Sequence, residues 1–331
     1  MYLVYGLMCL IFGTTFLAIK VGIEAGAPPF LFAGMRFFIA GVIVLAAVKL
    51  AQGEIGIKAG KRRDVLLVGL FMTGTMFGCL YWGERYVSSS IAALLAATTP
   101  LMIGIVEWLQ GSRESIWIKG CGLLISFIGV GFAVLPALGV EVTKEALLAV
   151  IVILAAEVGC VFGTMTAKRV LSAGLNPFVL NGWQMLIGGT ALILLSLVTE
   201  PAKVVLNSNI VWSWAYLVVL GSLAGHGSYY WLVHRTGPLL PSTWTYISPV
   251  IAQFVGYYVL AEYLSGYSFI GVRLVLGGVF LVSRAATVEE WLKKQLQRAA
   301  YNSFSASFAK EPDIVRLSGF SLIFTKTCKH A

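Results

Sequence analysis

Two ionisable side chains stand inside long apolar runs of the sequence, where a charge is costly. Glu157 follows two alanines and His226 stands between two glycines. A carboxyl group in such a place can exchange a proton or bind an amine, and an imidazole titrates near physiological pH. Both residues are therefore candidates for proton coupling. Two structural alternatives stay open, namely a neutral glutamic acid held by an interhelical hydrogen bond and a histidine that only packs between helices.

Arg36 is a third charged group in an apolar run. It lies roughly 10 Å, or two helical turns, beyond the start of that run at Pro29. A guanidinium at this depth can contact the carboxylate of a substrate. The alternatives are that the side chain reaches back to the membrane surface or pairs with a carboxylate such as Glu84.

Polar and aromatic residues recur at the middle of several apolar runs. Singly, threonines in helices bond their own backbone, and Tyr or Trp near helix ends mark membrane interfaces. Taken together, they are expected to line a substrate-binding cavity with Arg36, Glu157 and His226. The set is Thr14, Thr15, Thr75, Tyr81, Trp82, Thr99, Trp183, Gln184, Tyr230, Trp231, Trp244, Tyr246 and Ser248.

Two prolines occupy matched positions in the apolar runs. Pro100 and Pro249 each remove one backbone hydrogen bond, and the freed carbonyl must find a neighbour, a water or a ligand. We expect both to bend their helices and to mark the parts that move.

The composition indicates the class of protein that must position these groups. The 331 residues are 58% hydrophobic and only 12% charged, about half the charged share of an ordinary soluble domain. Such a chain suits hydrocarbon rather than water. The five cysteines are scattered singly, so neither a disulfide framework nor a metal site is predicted.

Apolar runs of about 20 residues predict ten transmembrane helices. The predicted spans are 2–22, 29–49, 64–84, 88–110, 115–135, 145–167, 176–198, 210–233, 240–261 and 267–284. With both termini in the cytoplasm, 18 of the 24 Lys and Arg lie on the cytoplasmic side and 6 on the other. This bias predicts the orientation, and the net charge of +9 then need not imply nucleic acid.

The two halves of the chain repeat one pattern. Residues 29–36 match 177–184 at an offset of 148, and several further positions recur at 149. The positions at 149 are Gly78 with Gly227, Tyr81 with Tyr230, Trp82 with Trp231, Pro100 with Pro249, Gly122 with Gly271 and Gly129 with Gly278. Because each unit has five spans, the second must be inverted relative to the first. Inverted repeats are typical of transporters with a site near the membrane midplane.

These segments resemble the EamA-type drug/metabolite transporters over residues 2–284. The resemblance is carried by segments 12–16 with Lys20, 36–40, 82–84 through Pro100, 181–185, and 248–249 to Glu262. It implies ten helices, a central cavity, and export of small metabolites, often amino acids, or of toxic compounds.

We therefore interpret the chain as an all-α polytopic membrane protein with two inverted five-helix repeats, 1–140 and 141–284. A basic cytoplasmic tail, 285–331, is expected to form a short helix and then a disordered end. The expected function is export of a small metabolite such as an amino acid across the inner membrane, by alternating access and with proton coupling. No cofactor and no nucleic acid are expected, and the sequence allows a homodimer.

Other classes of function stay open at this point. One is a multidrug or toxic-compound exporter of the same fold. Membrane enzymes are less favoured, because the sequence offers no metal-ligand spacing and no Gly-rich phosphate loop. A non-transporting membrane protein is also less favoured, because it would have no use for buried Glu157 and His226.

Reporter fusions test the predicted orientation. We expect loop 58–63 and the tail to be cytoplasmic, and loops 141–145 and 200–203 to be on the opposite side, because basic residues are retained in the cytoplasm. Alkaline phosphatase and green fluorescent protein fused at each loop give the readout. An external 58–63 loop would contradict the inverted-repeat interpretation.

Overall fold

Helices form almost all of the chain in the computed structural model, which describes residues 1–87, 89–111, 115–134, 143–201, 207–260 and 266–310. The first half contains α1 (Tyr2–Glu24), α2 (Pro29–Gln52), α3 (Arg62–Gly69), α4 (Met76–Gly83), α5 (Ser89–Ala96), α6 (Thr99–Leu109) and α7 (Ile116–Val134). The second contains α8 (Lys144–Ser172), α9 (Pro177–Thr199), α10 (Ser208–Tyr216), α11 (Gly227–Thr236), α12 (Leu239–Ser242), α13 (Trp244–Leu260), α14 (Gly266–Ser283) and α15 (Ala285–Lys310). The predicted boundary at residue 140, residues 141 and 142 of the 141–145 loop and residues 311–331 lie outside the described residues.

The structure confirms an all-helical membrane protein. In the described part of the chain, seven helices are long and apolar enough to cross a membrane, or eight if Phe269–Ser283 is joined with the helix that follows. Every one of the ten predicted spans coincides with helical residues. Large apolar side chains such as Leu50 and Val198 are almost fully exposed on the bundle surface, as lipid contact requires.

Two π-helical segments interrupt long helices at matched places in the two halves. Leu70–Thr75 joins α3 to α4, and Leu217–His226 joins α10 to α11. The wider turn shifts the register of the residues that follow it. Sequence periodicity could not have predicted which side chains then face inward.

Glycines allow α2 and α9 to cross at very short distance. A Cβ on Gly34 would lie 3.0 Å from the carbonyl oxygen of Gly189, and a Cβ on Gly41 would lie 2.9 Å from that of Gly182. The sequence repeat equates Gly34 with Gly182 and Gly41 with Gly189. Gly34 therefore contacts the repeat equivalent of Gly41, and Gly41 contacts the repeat equivalent of Gly34. Two-fold related units make contacts of this reciprocal kind.

The α7–α14 pair repeats this arrangement. A Cβ on Gly122 would lie 2.7 Å from the carbonyl oxygen of Gly278, and one on Gly129 would lie 2.9 Å from that of Gly271. The repeat equates Gly122 with Gly271 and Gly129 with Gly278, so the exchange is again reciprocal. Small residues allow this approach where no hydrophobic effect drives helices together.

Polar contacts tie the helix ends together. The Glu200 carboxylate accepts from the backbone amides of Phe30 and Leu31 at 2.8 and 2.9 Å, at the start of α2. Such an anion at a helix N-terminus satisfies amides that have no partner within the helix. Elsewhere Lys168 forms an ion pair with Glu107 at 2.8 Å, which balances the negative charge of Glu107.

Residues from Arg284 onward form a separate compact unit. Its helix α15 contains the Glu289–Lys293 pair at 2.8 Å, four residues apart on one helix face. The helix extends to Lys310, so it is longer than the short helix expected for the tail.

Neighbouring glycines of α14 provide a matched test of the helix crossing. Gly278→Ala should lower the melting temperature by several degrees, because its Cβ would lie 2.4 Å from the carbonyl oxygen of Gly122. A Cβ on Gly277 would have no heavy atom within 4 Å, so Gly277→Ala should leave the melting temperature unchanged or raise it slightly. Thermal unfolding of the purified protein in detergent measures both. Equal melting temperatures would show that the close crossing does not stabilise the fold.

Candidate functional site

An internal cavity of about 60 Å³ lies between helices from both halves of the chain. Its wall is mostly apolar, with a few polar groups aimed inward, which is the usual composition of small-molecule sites. The lining residues are Phe12, Thr15, Phe16, Ile19, Arg36, Met72, Met76, Phe77, Leu80, Thr99, Glu157, Cys160, Gln184, His226, Tyr229, Ser242, Trp244 and Thr245.

Glu157 contributes a carboxyl group to this wall. It lies on α8, its residue is 1% exposed, and Thr99 at the start of α6 donates a hydrogen bond to Oε2. Oε1 has no hydrogen-bond partner among the described residues. Cys160, on the same helix, lines the cavity as well. One carboxyl oxygen is thus fixed by the protein.

Arg36 contributes a cation to the same wall. It is 1% exposed, so it does not reach back to the membrane surface. Its Nε donates to Ser222 Oγ and its Nη1 donates to Tyr81 Oη, both at 2.8 Å. The guanidinium carbon lies 4.5 Å from the Phe37 ring centroid. In the described part of the chain no carboxylate lies within 4 Å, so the pairing with Glu84 is not formed.

His226 stands among aromatic rings rather than polar groups. Its Nδ1 lies 2.9 Å from the carbonyl oxygen of Gly221. Because a carbonyl only accepts, Nδ1 carries a proton. The rings of Phe12, Phe37 and Phe77 lie 5.1, 5.6 and 5.5 Å from the imidazole centroid. The hydrogen bond and the rings fix the orientation of the side chain beside the cavity.

The structure brings seven of the sixteen predicted cavity residues together. They are Thr15, Arg36, Thr99, Glu157, Gln184, His226 and Trp244. Gln184 accepts from buried Thr73 at 2.6 Å, and the rings of Trp244 and Phe12 pack at 4.5 Å. These residues come from both halves of the chain.

The other predicted cavity residues lie elsewhere in the described structure. Thr75 and Trp82 line a separate groove, because the π-helical segment before α4 turns them away from the cavity. Tyr81 lies just behind the wall as the partner of Arg36. The remaining six are Thr14, Trp183, Tyr230, Trp231, Tyr246 and Ser248.

Local contacts account for most of those six. Thr14 bonds the Tyr216 hydroxyl, Trp183 Nε1 donates to the carbonyl of Ile55 at 2.9 Å, and the Trp231 ring lies 5.4 Å from the Arg235 guanidinium. The Tyr230 hydroxyl donates to Met72 Sδ at 3.2 Å. The hydroxyls of Tyr246 and Ser248 are buried and have no partner among the described residues.

The two prolines differ in their local structure. Pro249 lies inside α13, where it interrupts the backbone ladder as expected. Pro100 instead lies in the first turn of α6, where no intrahelical amide bond is lost. The interruption in that span is the turn at Ala97 and Thr98, between α5 and α6.

Sequence reasoning missed much of the apolar wall. Phe77, Met72 and Met76 line the cavity but look like ordinary membrane-helix residues. Tyr229 carried a signal, since it stands in a run of aromatic residues from 229 to 231. Among the described residues no group of three or more His, Cys, Asp or Glu could hold a metal ion.

Glu84 is buried outside this wall. Both of its carboxyl oxygens lack a hydrogen-bond partner among the described residues. Lys20 bonds its backbone carbonyl at 2.8 Å and lies 3.7 Å from the Glu24 carboxylate. The lysine therefore holds the end of α4 through the main chain.

Comparison with known proteins agrees with this architecture. The uncharacterized inner membrane transporter YedA of Escherichia coli is 27% identical over 282 residues, covering 83% of this chain and 87% of YedA. The uncharacterized transporter YoaV of Bacillus subtilis is 23% identical over 277 residues, covering 82% and 92%. A crystal structure of 19% identity has the same fold, with a TM-score of 0.72 over 87% of this chain and 98% of that one.

The family assignment rests on more than half of the chain. The sequence model of the EamA-like transporter family matches residues 1–135 and again residues 147–284. The resemblance seen in the sequence is thereby confirmed, and the chain belongs to the EamA-like transporter family.

Proposed function

We propose that this protein is a secondary transporter that exports a small metabolite, such as an amino acid or an analogue, across the inner membrane. The observation that carries the proposal is a single internal cavity lined by both Arg36 and Glu157. Buried ionisable groups are expensive in a membrane and mark substrate or proton paths. The transporter names of the relatives, one of them an inner membrane protein, agree with this assignment and location.

A ten-span, two-repeat architecture with inverted units is part of the proposal, with units at 1–140 and 141–284. Reciprocal hydrogen bonds at the cavity support it. Arg36 donates to Ser222, and Thr73 donates to Gln184. The repeat equates Arg36 with Gln184 and Thr73 with Ser222, so one contact is the counterpart of the other. The glycine crossings follow the same rule, and a two-fold axis near the cavity accounts for all of these contacts.

Alternating access would explain why the cavity is so small. Ligand sites usually measure about 300–1,000 Å³, far more than the 60 Å³ seen between these helices. A substrate could enter only if the halves separate toward one side of the membrane. The two π-helical segments, Pro249 and the turn before Pro100 offer places where helices can bend.

The proposed proton site is Glu157, assisted by His226. A carboxyl with one oxygen fixed by Thr99 and the other open to the cavity can hold either a proton or the amine of a substrate. Competition between the two would couple export to a proton gradient. The remaining predicted cavity residues, including Thr14, Thr75, Trp82, Trp183 and Tyr246, are proposed to act in other states of the cycle.

The cavity favours a polar metabolite over the alternative of a lipophilic drug. A wall with two ionisable groups would leave both charges unpaired around an apolar compound. Nothing in this mechanism requires bond chemistry, so an enzymatic role is not proposed.

Counterflow in proteoliposomes tests the function and the role of Glu157 together. Radiolabelled L-leucine, L-threonine and L-phenylalanine serve as probes, and at least one should exchange. Glu157→Gln keeps the shape but cannot ionise, so it should abolish flux driven by a pH gradient while sparing exchange at equal pH. His226→Gln should weaken coupling less.

The control for Glu157 is Glu290→Gln, an exposed glutamate of α15. It should transport and couple like the wild type. Unchanged gradient dependence in Glu157→Gln would show that its carboxyl only packs. Absence of exchange for every probe in the wild type would contradict amino-acid export.

The prolines should matter more for turnover than for folding. We expect Pro249→Ala to insert normally and to slow transport several-fold, because a regular α13 would resist bending. Pro100→Ala should have the smaller effect, since Pro100 lies in a first turn. Initial rates, normalised to the amount of inserted protein, measure this. Wild-type rates in both variants would remove the prolines from the mechanism.

A further inference from the structure

The buried Arg36 guanidinium forms no ion pair with a carboxylate among the described residues. Arginine stays protonated in proteins, and a buried unpaired charge is strongly unfavourable. Its bonds to Ser222 and Tyr81 involve neutral hydroxyls, and its ring contacts are with Phe37 and Phe77. These neighbours orient the cation without supplying an opposite charge.

The charged and titratable groups around the cavity do not supply it either. Glu157 on α8 is held by Thr99 of α6, and no bond joins it to Arg36. His226 on the π-helical segment cannot provide a negative charge. Glu84 is buried, yet neither of its oxygens bonds Arg36. Within the described residues, the missing negative charge has no protein source.

The guanidinium has more donors than its described contacts use. Among the described residues, two of its five N–H groups donate, one on Nε and one on Nη1. Beside Nη2 stands Gly221, where a Cβ would lie only 2.7 Å from that nitrogen. Glycine is needed at this position, because any side chain would displace the guanidinium. The Nη1–Nη2 edge of a guanidinium matches the two oxygens of a carboxylate.

We propose that Arg36 is the carboxylate-recognition site of the substrate, with Tyr81 and Ser222 as positioning residues. This inference rests on the proposed function and makes it more specific. The carboxylate bridges Nη1 and Nη2 and supplies the missing counter-charge, while the apolar remainder of the substrate packs on Phe12, Phe77 and Trp244.

A carboxylate fits better than a phosphate. The single positive charge of Arg36 balances the single negative charge of a carboxylate. A phosphate carries nearly two negative charges and needs more hydrogen-bond donors.

Binding to the purified protein tests the inference without requiring transport. The probes are 3-phenylpropanoate and L-phenylalanine, each compared with its uncharged-carboxamide form, which has nearly the same shape. We expect both acids to raise the melting temperature. The amides should bind at least about tenfold more weakly than the acids. Equal stabilisation by acids and amides, or none by either acid, would overturn the proposal.

Substitutions locate the effect. Arg36→Gln should weaken acid binding about tenfold or more and leave amide binding unchanged, whereas exposed Arg273→Gln should change neither. Tyr81→Phe and Ser222→Ala keep the cation and serve even if Arg36→Gln does not fold. Each should weaken acid binding about threefold, while exposed Tyr267→Phe should not. Unchanged acid-to-amide preference in all three cavity variants would assign recognition to another group.

Counterflow separates this inference from the proposed function. Exchange of both acid and amide by the wild type would contradict the carboxylate site and leave the transporter assignment intact. Selective binding of the acids without any exchange would support the site and contradict transport.

Discussion

The cost of a charge inside hydrocarbon is the constraint on which the rest of this structure depends. Arg36 and Glu157 are both 1% exposed, and each is held by hydroxyl groups from other helices. A chain that only needed a stable bundle would gain from apolar residues at these positions. Both residues line the same cavity, where a bound ligand would complete the site.

The glycine contacts around the site are reciprocal, while the side chains of the site differ between the two halves. Gly34 contacts Gly189, the repeat equivalent of Gly41, and Gly41 contacts Gly182, the repeat equivalent of Gly34. Gly122 and Gly129 contact Gly278 and Gly271 in the same crossed way. At the cavity, however, the repeat equates Arg36 with Gln184 and His226 with Phe77, and all four line the wall. The proposed repeat thus provides equivalent positions at the cavity, and different side chains occupy them.

The sequence predicted the helices well because apolar runs of about 20 residues and their polar breaks leave few alternatives. It also singled out Glu157, His226 and Arg36, which line the cavity, since ionisable residues are conspicuous in such runs. It could not separate Thr75 from Met76, because lipid-facing and cavity-facing surfaces are both apolar and a π-helical segment resets the register. The sequence predicted a bend at Pro100, whereas the structure places Pro100 in the first turn of α6.

Accessibility of Cys160 tests alternating access most directly, because this buried thiol lines the cavity. In a variant that keeps Cys160 as its single cysteine, labelling by a membrane-impermeant thiol reagent would be measured in right-side-out and in inverted vesicles. The account predicts labelling from both sides, slowed by a bound substrate, and no labelling when Cys160 is also replaced. Labelling from one side only, or from neither, would contradict a cavity that opens alternately to the two sides of the membrane.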